Sequence, residues 1–140
     1  MLRRITGTTV LLLLLATSAE AQRAKKVKEP EFDGIPLSGW IVDLKSAAAP
    51  YSRNAAAYAI SGMGPAAKAA VPALIEALND PEATVRFPVC IALREIGPDA
   101  KDAVPALTKA LDDRNDDVAA MARKALIKIT GEDPRPPEEE

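Results

Sequence analysis

The sequence predicts an all-α fold, a short right-handed α-solenoid of about three stacked helix pairs, and three observations predict it. Two separate segments recur at one offset. Val71-Pro-Ala-Leu-Ile-Glu-Ala-Leu-Asn-Asp80 returns as Val104-Pro-Ala-Leu-Thr-Lys-Ala-Leu-Asp-Asp113, and Gly64-Pro-Ala-Ala-Lys-Ala-Ala70 returns as Gly97-Pro-Asp-Ala-Lys-Asp-Ala103, each 33 residues on. Within each copy the apolar residues fall at helical spacing, and no strand-like alternation competes. The composition is 48% apolar but only 4% aromatic, with Ala supplying much of the apolar content. Small side chains let helix backbones approach closely and suit stacked helices better than a thick globular core.

Along the chain, Met1 to Arg4 is a short cationic start, followed by an apolar run from Thr8 through Ala16. Ala19-Glu20-Ala21 then offers the small-x-small pattern of a cleavage site, so residues 1–21 read as a signal peptide. The run is too short for the roughly 20 residues of a membrane span, and no cysteine adjoins the site to carry a lipid anchor. The expectation is an exported chain, periplasmic or secreted, with no transmembrane anchor after cleavage. Residues 22–36, with Arg23, Lys25, Lys26 and Lys28 among Pro30, Gly34 and Pro36, read as a basic linker. The repeats follow as 37–70, 71–103 and 104–131, and residues 132–140 make an acidic, Pro-rich tail ending in Glu138, Glu139 and Glu140.

Each repeat reads as two helices. The first carries Leu74 and Leu78, or Leu107 and Leu111, four apart on one face; in the degenerate first copy Trp40 and Leu44 take those places. Asn79-Asp80-Pro81 is expected to stop it and to open the next helix, with proline at the first helical position. The second helix carries Val85, Val89, Ala92, Leu93 and Ile96, matched by Val118, Ala122, Ala125, Leu126 and Ile129, and by Ala56, Ala59, Ile60 and Met63. Gly64-Pro65 and Gly97-Pro98 end these helices, with a left-handed glycine and a proline that blocks continuation. Pro88 lies inside the second helix, where it removes the donor for the Thr84 carbonyl and is expected to kink the axis. One such pair cannot bury enough apolar surface to offset ordering its residues at roughly 1.5 kcal/mol each, so stacking is required.

The early proline of the first helix (Pro72, Pro105), the turn Asp (Asp80, Asp113) and Val85-Arg86 opening the second helix resemble HEAT repeats over roughly residues 37 to 131. The Gly-Pro-x-Ala-Lys-x-Ala-Val-Pro-Ala-Leu phrasing is most similar to the bacterial, phycobilisome-lyase-type subclass. The resemblance implies a protein-binding scaffold with second helices lining a concave face, and a ladder in which Asp80 and Asp113 bind Arg53 and Arg86. Ala119 stands where a third ladder Arg belongs, and the first repeat has no Asp at its turn.

The sequence argues against catalysis. It has no histidine and a single cysteine, which remove the commonest general base and any thiolate zinc site or internal disulfide. Gly62-Met-Gly64 lacks a further glycine and a preceding strand, so no phosphate loop is read. Asp112, Asp113, Asp116 and Asp117 lack calcium-loop spacing and suit a helix's first turn. No cofactor or metal is expected, and a net charge of −2 gives no reason to expect nucleic acid. The expected function is a non-catalytic scaffold for an exported or envelope-associated protein. Its contact residues are expected from Tyr58, Arg86, Phe87, Cys90, Arg94, Arg123 and Lys124, with Phe87 and Arg123 foremost. Cys90, between Arg86 and Arg94 on the helix, reads either as a space-filling residue, as a thiol activated by two cations, or as the source of an intermolecular disulfide. Two alternatives stand beside the scaffold: self-assembly through solenoid ends with few capping features, and, remotely, a lyase-related enzyme or chaperone.

Overall fold

A computed structural model describes residues 28–135. The segment read as a signal peptide, the first part of the expected linker and the last residues of the expected tail lie outside them. The described chain begins with a short hairpin, β1 (Glu31–Phe32) and β2 (Ile35–Pro36), antiparallel with Phe32 opposite Ile35. This corrects the reading of 22–36 as linker throughout. Asp33 and Gly34 take φ of 52° and 74°, the paired left-handed conformation that a two-residue hairpin turn demands and that Asp-Gly suits. The hairpin is tied to the helices that follow. The indole Nε1 of Trp40 donates to the Phe32 carbonyl at 3.2 Å, and the Phe32 ring lies where a Cβ on Gly62 would stand 2.7 Å away.

The helices are α1 (Leu37–Ser46), α2 (Pro50–Gly62), α3 (Val71–Ala77), α4 (Ala83–Ile96), α5 (Val104–Ala110) and α6 (Asp116–Thr130). Both α3 to α5 and α4 to α6 begin 33 residues apart, so the sequence period is the structural period. Ahead of α3 and α5 run 3₁₀ segments, Gly64–Ala70 and Gly97–Ala103. Their buried alanines, Ala67 and Ala70 or Ala100 and Ala103, are three apart, the spacing that aligns side chains on a 3₁₀ helix. At Gly97 the chain leaves α4 with φ 74° and ψ −141°, a conformation open to glycine and strained for any other residue.

Helices α2, α4 and α6 pack on one another in order and form one layer; α1, α3, α5 and the 3₁₀ segments form the other. One continuous core runs between the layers from Leu37 and Leu44 to Leu126 and Ile129. Leu74, Val85, Val89, Leu93, Leu107 and Val118 are buried within it, whereas Trp40, Met63 and Leu111 are only partly covered. The fold is therefore an all-α solenoid of HEAT-like helix pairs, as the repeats imply.

Two local expectations change. Pro81 does not open α4, which starts at Ala83. Asp80 turns its carboxylate inward and its Oδ1 accepts the Glu82 amide at 3.0 Å, shaping the turn before the helix. Pro88 is buried inside an unbroken α4, and the Thr84 carbonyl whose donor it removes accepts Nδ2 of Asn54 from the preceding repeat. The side chain of α2 replaces the missing backbone donor of α4.

Candidate functional site

The repeats are joined by two copies of one polar device. Arg53 donates from Nε and Nη2 to the two carboxylate oxygens of Asp80, at 2.7 and 3.1 Å, while its Nη1 donates to the carbonyls of Ala47 and Ala48. One repeat later Arg86 donates to both oxygens of Asp113 at 2.8 Å and to the carbonyls of Asp80 and Pro81. The planar guanidinium matches the carboxylate fork on one edge and closes the helix-turn carbonyls on the other. The hydrogen bonds from Arg86 outweigh partial burial and hold the Asp113 carboxyl below the usual range. Burial pushes Asp80 up, but Arg53 and the Glu82 amide outweigh it and leave that carboxyl lowered as well.

The second-helix layer presents an open depression of about 260 Å³ lined by Asn54 and Tyr58 of α2, Ala83, Thr84 and Phe87 of α4, and Asn115 and Asp117 at the start of α6. It spans all three repeats. Tyr58 is 45% exposed and Phe87 is partly buried against the core, so aromatic surface faces solvent from a fixed base. Asn115 caps α6, its Oδ1 accepting the Val118 amide at 3.1 Å. A second depression, about 580 Å³, lies on the outer flank of α6 and is lined by Ala119, Arg123, Lys124, Ile127 and the chain after the helix.

The family model for HEAT repeats matches residues 38–127, most of the described chain. This chain belongs to the HEAT-repeat family. No curated protein matches it. In HEAT terms the Arg–Asp ladder joins the first repeat to the second and the second to the third, and among the described residues it goes no further: Ala47 occupies the turn position of the first repeat and Ala119 the arginine position of the third.

The HEAT stack separates the expected contact residues. Tyr58 and Phe87 come together in the second-helix depression. Arg86 does not join them: it is 5% exposed and committed to Asp113, a structural residue and not a contact one. Cys90 is also corrected. It is fully buried, and burial, with Asp113 adding to it, pushes its thiol up to about 12 against the lowering pull of Arg86. It fills space and is no activated thiol. Arg123 is the register equivalent of Cys90, so it lies on the end of the stack, where it pairs with Asp133. Lys124 lines that end face too. Arg94 pairs with Glu95 and reaches the Met121 sulfur at 3.6 Å. Each end carries one partial cover. The hairpin packs against Trp40 and Gly62 of the first pair and leaves Val42 and Tyr51 exposed, and at the other end Arg135 donates to the Leu111 carbonyl and to Asp112, laying the tail along the last pair.

Sequence reasoning passed over Thr84 and Asp117 as site residues. They share one register row with Tyr51, each 33 residues apart, so the offset itself was the available signal.

Proposed function

We propose that this HEAT-repeat chain is an exported, non-catalytic scaffold that holds a partner protein against the face formed by α2, α4 and α6. One observation carries the reading: Tyr58 and Phe87, from successive repeats, offer aromatic surface in a depression that crosses the whole stack. Tyr and Phe anchored on rigid helices are characteristic of interface hot spots, because little side-chain entropy is lost when they are covered. HEAT repeats commonly mediate protein–protein contact, which is compatible with this assignment. The partner is an exported or envelope-associated protein, in keeping with the Ala19-Glu20-Ala21 cleavage pattern. The Ala-rich Gly-Pro phrasing supports a place in the bacterial phycobilisome-lyase-type subclass. Among the described residues no helix is long and apolar enough to cross a membrane.

The test is capture by affinity from the native envelope with the chain and with a Tyr58→Glu, Phe87→Glu variant. A partner recovered by the chain should be lost with the variant while the far-UV circular dichroism stays unchanged, since both rings reach solvent. Undiminished capture by a folded variant refutes the face assignment.

A further inference from the structure

We infer that the depression between α2, α4 and α6 takes a cationic side chain, arginine or lysine, presented by an extended segment of the partner. This rests on the second-helix face being the binding face and names the chemistry it selects.

The lining is aromatic and acidic, with no cation. Tyr58 and Phe87 supply ring surface, and Asp117 is the sole charged residue of the depression. Asp117 is exposed, and no described cation lies within ion-pair distance of it. It stands in the first turn of α6, at the end of the helix where the free backbone amides point outward. The two amide side chains of the lining are engaged elsewhere. Asn54 Nδ2 donates to the Thr84 carbonyl, and Asn115 Oδ1 accepts the Val118 amide. A carboxylate therefore stands beside aromatic rings, an arrangement that attracts a cation by charge and by ring quadrupole together.

Size and surroundings narrow the occupant. About 260 Å³ falls below the roughly 300–1,000 Å³ of sites that enclose a drug-sized ligand, and suits one long side chain. An anionic side chain meets Asp117 and is repelled; an apolar one gains nothing from the carboxylate. Three basic groups near this face do not compete: Arg114, three residues before Asp117, donates to the Pro81 carbonyl at 2.8 Å, and the other two are Arg94 and Lys124. Arg94 is paired with Glu95, and Lys124 stands seven residues beyond Asp117, roughly 10 Å along the helix.

The probe is a capped pentapeptide, Gly-Ser-Arg-Ser-Gly, titrated into the ¹⁵N-labelled full chain, with Gly-Ser-Gln-Ser-Gly as its neutral counterpart. The arginine peptide should shift the amides of Asn54, Tyr58, Thr84, Phe87, Asn115 and Asp117. Its affinity should fall about tenfold in Asp117→Asn, in Phe87→Leu, and on exchange for the glutamine peptide, a difference of about 1.4 kcal/mol. Asp117→Asn changes an exposed group without altering its size, so loss of binding there is not loss of fold. Equal shifts with the glutamine peptide overturn cation selection. Shifts spread over Asp112 and Asp116 and insensitive to Phe87→Leu also overturn it, as diffuse charge attraction. Either result leaves the capture experiment with Tyr58→Glu, Phe87→Glu able to succeed, so the two readings fail separately.

Discussion

At the scale of single residues, the ladder arginines decide more than their surface-like sequence positions suggest. Arg86 brings one charge into the seam between repeats and satisfies four acceptors there, two on Asp113 and two backbone carbonyls. Removing it leaves the nearly buried Asp113 carboxylate and both carbonyls short of donors. Arg86→Met, which keeps the stem and deletes the guanidinium, is therefore expected to destabilise the chain by about 3–5 kcal/mol, as breaking a buried pair does. Denaturant unfolding measures this, and a loss below about 1 kcal/mol places the pair among ordinary surface bridges. Protonation tests the same contacts. Asp80 and Asp113 have lowered carboxyls in the folded chain, so near pH 3–4 the unfolded chain binds more protons, and stability must rise with pH there. The ladder contribution is complete above the unfolded value of about 3.9 and drains away as pH falls through the folded values. Melting temperature should hold from neutral pH down to about 5 and fall below about 4. In Asp113→Asn that acid limb should be shallower, and an unchanged limb means other carboxylates control it.

At the scale of helices, the most informative element is α4, where a local rule is broken and repaired from outside. Pro88 withdraws the amide that the Thr84 carbonyl expects, and Asn54 of α2 supplies an Nδ2 donor instead. The two residues should be energetically coupled. Asn54→Ala is expected to cost about 0.5–1.5 kcal/mol in the native background. In Pro88→Ala, whose restored backbone amide can serve Thr84, the same change should cost close to nothing. A double-mutant cycle gives the coupling directly, and additive effects mean that water meets the carbonyl equally well. The helices themselves were legible because their apolar residues recur every three or four positions and their period repeats at 33. The hairpin was not, since strands of two residues are too short to alternate; only Asp33-Gly34 signalled it. Pro81 misled because Asp80 serves Arg53 and the Glu82 amide, which delays the helix to Ala83. The site was half legible. Phe87 and Tyr58 stood out as rings beyond the core stripe, but Cys90 and Arg123 were misplaced. Helical spacing alone does not say which flank of a second helix meets the next repeat.

At the scale of the whole molecule, a solenoid of three pairs is largely ends, and the described chain packs a short segment on each: the hairpin against Trp40 and Gly62, with Val42 and Tyr51 left exposed, and the tail against α6. The flank of α4 that carries Arg86 and Cys90 is buried by α6, whereas the same flank of α6 carries Ala119 and Arg123 and, among the described residues, meets only the chain that follows the helix. Asp133 meets Arg123, and Arg135 crosses to the Leu111 carbonyl and Asp112. Ala119 in the ladder position means that an added repeat finds no arginine waiting for its turn aspartate. The tail thus covers the flank through exposed ion pairs, which salt screens, and not through a buried apolar seam. Truncation after Thr130 is expected to leave the helices folded, because the core ends at Ile129, but to enlarge the apolar surface around Ile127, already 38% exposed, by removing Asp133 and Arg135 from the same depression. Sedimentation should then show apparent mass rising with concentration for the truncated chain, while the full chain stays at monomer mass through the same series. Raising salt should move the full chain toward the truncated behaviour by loosening Arg123 from Asp133. If both chains sediment alike at every salt concentration, the tail is not what keeps the last repeat from pairing.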